Sequence, residues 1–333
     1  MATKVTNQLS SPTLHAKQFH KPEQDRDGFL IPVSPPKVFR PEGFVTAVEF
    51  YNQFSGELGY PFIHDEHFLL LLDTRTNAEY EESHITTARM YSDIYIDYNC
   101  LLEMGKLDAY TYVTLYDADG KGLQEENSQL MKTYSEIRER GHDVAIILGG
   151  FQEFAAKFPF LCNDKVIVSE PDRRRLVKNY PSMVFEDILF QGSGEHAIDE
   201  DVFKNLKITH VVNISTEVPN AFPNKAAYLN IQVSDEVRSN IMSKLSLAAD
   251  FIASAIANGG RVLVHCVLGA SRSSTIVIAY LIKYHGWTLK DAYDYLKECR
   301  PCVSPNRGFL AQLSKFEEEL FGKKLSNVDS MWF

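Results

Sequence analysis

The strongest constraint on the fold is a repeated alternation of short, uniformly apolar runs with segments of helical period. Residues 68–73 read Phe68, four leucines and Asp73, with no polar spacing until the end. A strand of this kind is covered on both faces, which happens inside a parallel sheet. Residues 110–116 and 144–148 predict two more strands, with helices over 45–54, 128–140 and 151–158. The alternation restarts near residue 180, with strands at 188–190, 210–214, 228–233 and 262–264 and helices at 243–258 and 273–284. In the first of these helices Leu245, Ala248, Ala249, Ile252, Ala255 and Ile256 keep the spacing of one buried face, and Gly259-Gly260 stops it. Thr288, with Asp291 three residues on, opens a further helix. Two such series predict an α/β protein of two units, each built on a parallel sheet.

A length of 333 residues agrees with two domains. Residues 1–42, rich in Pro, Ser, Lys and Gln, predict a disordered tail. The first domain is expected over 43–165, a linker over 166–180, the second domain over 181–325 and a C-terminal tail over 326–333. A net charge of −10 argues against a nucleic-acid-binding surface but leaves room for a local basic pocket. The first 24 residues hold no apolar run of the kind a secretory signal needs, and no segment of about 18 or more apolar residues is present for a membrane span. Neither membrane insertion nor secretion is expected, and the expected compartment is the cytoplasm, with the nucleus open. Five scattered cysteines (Cys100, Cys162, Cys266, Cys299, Cys302) do not make a secreted disulfide framework. One special thiol is then the feature to seek.

The run His265-Cys266-Val267-Leu268-Gly269-Ala270-Ser271-Arg272-Ser273 lies between a predicted strand and a predicted helix. A loop in that setting turns successive backbone N–H groups inward and, with the helix dipole, forms a nest for a dianion. Gly269 permits a conformation that a Cβ would obstruct. Arg272 offers a planar fork matched to two phosphate oxygens. The same positive field favours a thiolate, the form of cysteine that attacks phosphorus. His265 is expected to fix the loop, and the Ser273 hydroxyl to assist the sulfur as a leaving group. A buried structural cysteine is the plain alternative, but it leaves Gly269, Arg272 and Ser273 unexplained.

Phosphoryl transfer also needs an acid for the leaving oxygen. Asp235, Glu236 and Asp250 are the candidates. Asp250 falls inside the helix over 243–258. Asp235 follows one strand and precedes that helix, so it is the chosen acid, with Glu236 in reserve.

HCVLGASRSS resembles the signature of dual-specificity protein phosphatases, a branch of the cysteine-based protein tyrosine phosphatases. The similarity runs over about residues 180–325 and includes YPSMVFEDILFQGSGEHAID, KNLKITHVVNIS, VSDE and PNRGFLAQL. It implies a shallow pocket that accepts phosphotyrosine and phosphoserine or phosphothreonine, with no metal and no cofactor. Asn306 matches a family position near the phosphate loop. Its alternative role is the N-cap of the last helix.

Residues 43–165 resemble a rhodanese-like domain through LLLLDTRTNAEYEESHITTA and LGGFQEFAAKFP. Sulfur-transferring members open the loop after the strand equivalent to YVTLYD with a cysteine. This chain has Asp117-Ala118-Asp119-Gly120-Lys121-Gly122, so sulfur transfer is not expected. The pairing resembles two groups, mitogen-activated protein kinase phosphatases and serine/threonine/tyrosine-interacting-like proteins. The first implies kinase partners held by the rhodanese-like domain. The second includes pseudophosphatases that have lost the nucleophile, which this chain keeps. The expected function is therefore a dual-specificity phosphatase for phosphoproteins, and the alternative is a phosphoprotein-binding adaptor. Arg173-Arg174-Arg175 resembles a basic kinase-docking stretch, with a solvated linker as its plain alternative. Cys299-x-x-Cys302 lacks further ligands at zinc spacing nearby.

Overall fold

Each series folds onto its own sheet in a computed structural model that describes residues 22–35, 43–54, 62–94 and 106–331. Cys100 lies outside the described residues, as do 1–21 and 36–42 of the expected N-terminal tail and 332–333 of the C-terminal one. No helix among the described residues is long and apolar enough to cross a membrane.

Unit 1 contains β1 (Phe44–Val45), α1 (Ala47–Phe54), β2 (Leu69–Asp73), α2 (Asn77–Glu82), β3 (His84–Ile85), β4 (Arg89–Met90), β5 (Tyr112–Tyr116), α3 (Gln129–Glu139), β6 (Ala145–Ile147), α4 (Gly150–Lys157), β7 (Cys162–Asn163) and α5 (Glu170–Leu176). Its main sheet runs β1-β6-β5-β2-β4 with every pairing parallel. All positions of β2 are buried, as its unalternating sequence requires. Asp73 ends that strand in the interior. Arg75 compensates its charge through Nη2 at 2.6 Å, and the Tyr116 hydroxyl donates to it at 2.7 Å.

The stretch read as a linker belongs to this unit as far as Asn179. Ser169 caps α5, accepting from the Asp172 N–H at 3.4 Å. Arg173 is only 2% exposed. Its Nε donates to the Val168 carbonyl at 2.9 Å and its Nη1 to those of Ile63 at 3.1 Å and Asp65 at 3.4 Å. Arg174 and Arg175 pair with Glu170 and Asp172, one turn back. Successive helical residues face different ways, so three adjacent arginines do not form one basic surface. The docking reading of Arg173–Arg175 is corrected accordingly.

Unit 2 contains β8 (Ser182–Phe185), β9 (Leu189–Gly192), α6 (Gly194–Ile198), α7 (Glu200–Leu206), β10 (His210–Asn213), β11 (Ala227–Asn230), α8 (Met242–Ala257), β12 (Val262–His265), α9 (Arg272–His285), α10 (Leu289–Cys299) and α11 (Arg307–Phe321). The sheet order is β11-β10-β12-β9-β8, parallel except for the antiparallel edge strand β8. α9 is buried almost throughout, packed by α8, α10 and α11. β11 is shorter than the alternation over 228–233 suggests. Ile231 and Val233 continue inward beyond it as buried, irregular chain.

Both expected tails are in part folded. The Leu30 N–H donates to the Leu320 carbonyl and the Val33 N–H to that of Gly286, each at 2.8 Å. Phe29 covers Gly322, where a Cβ would come within 2.8 Å of its ring. At the other end, Ser326 donates through Oγ to the buried Glu317 carboxylate at 2.7 Å, and Met331 is buried. These segments have no periodic apolar pattern, because single backbone bonds rather than a buried face hold them.

Candidate active site

β12 delivers His265 and α9 starts at Arg272, and the residues between them close a loop around the Cys266 sulfur. The Gly269 N–H donates to Sγ at 3.2 Å, and the Ser273 Oγ lies 3.4 Å from it. Gly269 has φ +73°, and a Cβ there would sit 2.5 Å from the Gly192 carbonyl oxygen, so only glycine fits. The loop's carbonyls are drawn outward. That of Val267 accepts from the Gly194 N–H at 2.9 Å, and that of Leu268 from Arg300 Nη2 at 3.4 Å. The Gly269 carbonyl accepts from Arg300 Nε at 2.8 Å and from Gln191 Nε2 at 3.1 Å. The Ala270 carbonyl accepts from the Ser304 N–H at 2.8 Å. A planar peptide that turns its carbonyl out turns the next N–H in, so the loop amides form a nest. Leu268 stands exposed on the rim.

His265 is fully buried, and its Nδ1–H donates to the Cys266 carbonyl at 3.2 Å. Burial pulls its pKa down to about 4, so the ring is neutral near pH 7 and acts as a wedge under the loop.

Arg272 is buried. Its Nη1 donates to Glu217 Oε2 at 2.9 Å and to the Val233 carbonyl at 3.1 Å. Nε is buried without a hydrogen bond among the described residues, 3.6 Å from Asp235 Oδ2. The guanidinium is thus anchored by one corner, and the Nε edge is left for an oxyanion. The hydrogen bond from Arg272 draws the Glu217 carboxyl down to about 2.

Asp235 reaches the loop from the chain after β11. Its Oδ1 accepts from Ser271 Oγ at 2.7 Å and from Asn306 Nδ2 at 2.8 Å. Asn306 also caps α11 through its Oδ1, so its two expected roles coexist. Asp250 lies on α8, bonded by Lys283 and by Tyr284 at 2.8 Å, and Glu236 is exposed with no side-chain bond to the loop among the described residues. Glu217, Gln191 and Arg300 are the participants that the motif does not announce. Arg300 sits between Cys299 and Cys302, so the segment of the thiol pair contributes a clamp on the loop.

In unit 1 the loop Asp117–Gly122 is closed on itself. The Asp117 carboxylate accepts from the N–H groups of Gly120 at 2.6 Å and Gly122 at 2.8 Å. Amides that would otherwise face an anion are already occupied. Cys162, on β7, is half-buried, and burial pushes its thiol up to about 12.

Residues 189–319 match the family model of the dual specificity phosphatase catalytic domain, and residues 62–157 that of the rhodanese-like domain. The chain is 35% identical over 188 residues to a probable rhodanese domain-containing dual specificity protein phosphatase of Dictyostelium discoideum, covering 55% of this chain and 39% of that protein. It is 30% identical over 276 residues to human dual specificity protein phosphatase 16, covering 76% of this chain and 41% of that one. With dual specificity protein phosphatase 1 of Arabidopsis thaliana it shares 39% identity over 142 residues, covering 43% of this chain and 71% of the relative. The chain spans less than half the length of the first two relatives.

Proposed function

The chain belongs to the dual specificity phosphatase family, and we propose that it hydrolyses phosphate monoesters on protein side chains through a phosphocysteine on Cys266. The Cys266 thiolate attacks phosphorus while the bond to the ester oxygen breaks. Asp235 gives its proton to that oxygen, which leaves as a phenol or an alcohol. Oδ2 is the oxygen that carries the proton, since Oδ1 already accepts two hydrogen bonds. The loop amides and the Nε edge of Arg272 hold the equatorial oxygens. Asp235 then takes a proton from water as it attacks phosphorus. The sulfur–phosphorus bond breaks, phosphate leaves, and the Ser273 hydroxyl donates to the departing sulfur.

One observation carries this reading: the Gly269 N–H and the Ser273 hydroxyl converge on a buried sulfur inside a loop whose carbonyls point away. An acid for the leaving oxygen serves alkoxides as well as the easier phenolates, which favours both substrate types. Dually phosphorylated kinases are the substrate class suggested by the pairing with a rhodanese-like unit. Their docking is assigned to unit 1 as a whole and not to Arg173–Arg175.

Single-turnover phosphate release tests the reading. Wild-type protein mixed with an aryl phosphate is expected to give a burst of one phenol per chain, and Cys266→Ser none. Capture of phosphopeptides by the wild type without any burst would overturn catalysis in favour of an adaptor.

A further inference from the structure

Unit 1 holds a cavity of about 220 Å³ at the N-terminal ends of β2 and β5. It lies at the opposite end of the sheet from the Asp117–Gly122 loop. Arg89, Arg173, Tyr110, His67 and Glu66 line it. We propose that this cavity is an oxyanion site, in which Arg173 and Arg89 together hold one phosphate group.

Arg173 provides the main support. Its guanidinium is buried, and all of its hydrogen bonds go to backbone carbonyls. Among the described residues no carboxylate lies within ion-pair distance of it. Carbonyl dipoles take its Nε and Nη1 and leave Nη2 without a hydrogen bond among the described residues, while Glu66 and Asp65 act on this buried cation only from beyond ion-pair distance, and burying a cation without a close partner is costly. Arg89 adds a second cation to the same cavity. Its ion pair with Asp93, at 3.8 Å, is long and partly exposed. Burial holds the Arg173 pKa below its usual range; Tyr110, Glu66 and Asp65 oppose that shift, and the Arg89 charge adds a smaller push in the same direction as burial. An anion between them removes both penalties. Tyr110 is an additional potential donor. Glu66 is the opposing group, a carboxylate on the wall with no hydrogen bond among the described residues. The volume admits a phosphate and several waters, each of which takes about 30 Å³ in the liquid. The ligand is either free phosphate or a phosphoryl group on a docked peptide, and both present the same chemistry.

The test uses full-length Arg272→Ala protein, in which the catalytic loop has lost its fork. Calorimetric titration with inorganic phosphate is expected to show one remaining site per chain. Arg89→Gln in that background is expected to weaken it about tenfold, the loss of one charge-assisted contact. Glu66→Gln is expected to strengthen it about threefold, by removing a like charge. Both side chains are partly exposed, and an unchanged melting curve verifies folding. Titration with phosphorylated and unphosphorylated forms of one peptide separates the two sources. Tighter binding of the phosphorylated form than of phosphate identifies a docked phosphoprotein, and otherwise free phosphate is the ligand. Absence of the second site, or affinity indifferent to both substitutions, overturns the proposal. Neither outcome depends on the role of Cys266.

Discussion

Asn306 Nδ2 donates to Asp235 Oδ1 at 2.8 Å, while the Oδ1 of the same amide accepts the Phe309 N–H at 3.0 Å and caps α11. The proposed acid is therefore tied to the N-terminus of α11 and does not hang on its own loop. A fixed Oδ1 decides which oxygen faces the leaving group.

Substitution at Asn306 separates these two roles. Asn306→Ala loses the cap and the tether, so stability is expected to fall by about 1 kcal/mol and kcat about tenfold. Asn306→Asp keeps an acceptor for the cap but replaces the donor with a second carboxylate beside Asp235. It is expected to hold most of the stability while kcat still falls. Urea unfolding and steady-state kinetics measure the two effects. Full activity in Asn306→Asp would remove the tether from the mechanism.

The Glu217–Arg272 pair predicts a pH-dependent stability. The Arg272 hydrogen bond holds the folded carboxyl near 2, against about 4.5 for an ordinary glutamate, so the pair stabilises the fold above the ordinary carboxylate range. That contribution is lost as pH falls from about 4.5 towards 2. Glu217→Gln lacks it. The gap between wild-type and variant urea midpoints is expected to be widest above pH 4.5 and to close with acidification. A gap that widens on acidification contradicts the pairing. The variant also replaces the charged acceptor of Arg272 Nη1 with a neutral amide oxygen, and kcat/KM for an aryl phosphate is expected to fall about tenfold.

Gly269→Ala forces a Cβ against the Gly192 carbonyl at a left-handed φ. Strain of this kind costs about 1–3 kcal/mol, and relief requires the loop to open. Activity is expected to fall about 100-fold or more with the melting temperature lowered, because the amide that serves Cys266 Sγ moves with the backbone. An active, stable alanine variant would show that the loop tolerates another path.

How much of this arrangement the sequence discloses depends on how its parts are spaced. His265 to Ser273 are contiguous, so strand, turn, nest and helix are visible in one line of text. Asp235 is visible because it occupies the gap between a strand and a helix. Glu217, Gln191 and Arg300 are hidden, because what unites them is topology. β9, β10 and β12 run parallel, so their carboxyl ends meet at one edge and bring Gln191 and Glu217 to the same loop, and Arg300 reaches it from the end of α10. Arg173 is hidden for a different reason, since charge alone suggests solvent and only the rotation of α5 turns it inward.

A strained residue in unit 1 gives a prediction of opposite sign. Thr87, buried, has φ +72°, and its hydroxyl makes no hydrogen bond among the described residues. A β-branched side chain in that region costs about 1–2 kcal/mol, and an unpaired hydroxyl adds about 1–3 kcal/mol. Glycine removes both, against about 0.5–1 kcal/mol of chain entropy and about 0.8 kcal/mol of lost methyl burial. Thr87→Gly is expected to stabilise unit 1 by about 1 kcal/mol, slowing hydrogen exchange at the Leu70 and Leu115 amides about fivefold. Faster exchange at these amides would show that the threonine packs better than its backbone suggests.

The bonds from Leu30 to Leu320 and from Val33 to Gly286 give unit 2 a discontinuous sequence, interrupted by the described residues of unit 1. On the ribosome the strap is synthesised before unit 1, yet its acceptors emerge only after that unit. Unit 1 can complete its sheet during that interval, while the strap has nothing to dock on. Closing so long a loop slows the final step but adds little to its free-energy cost, since the entropy grows only with the logarithm of the span. The second unit is therefore finished only after Leu320 has emerged, and a phosphatase domain expressed from Tyr180 onwards would fold without its strap.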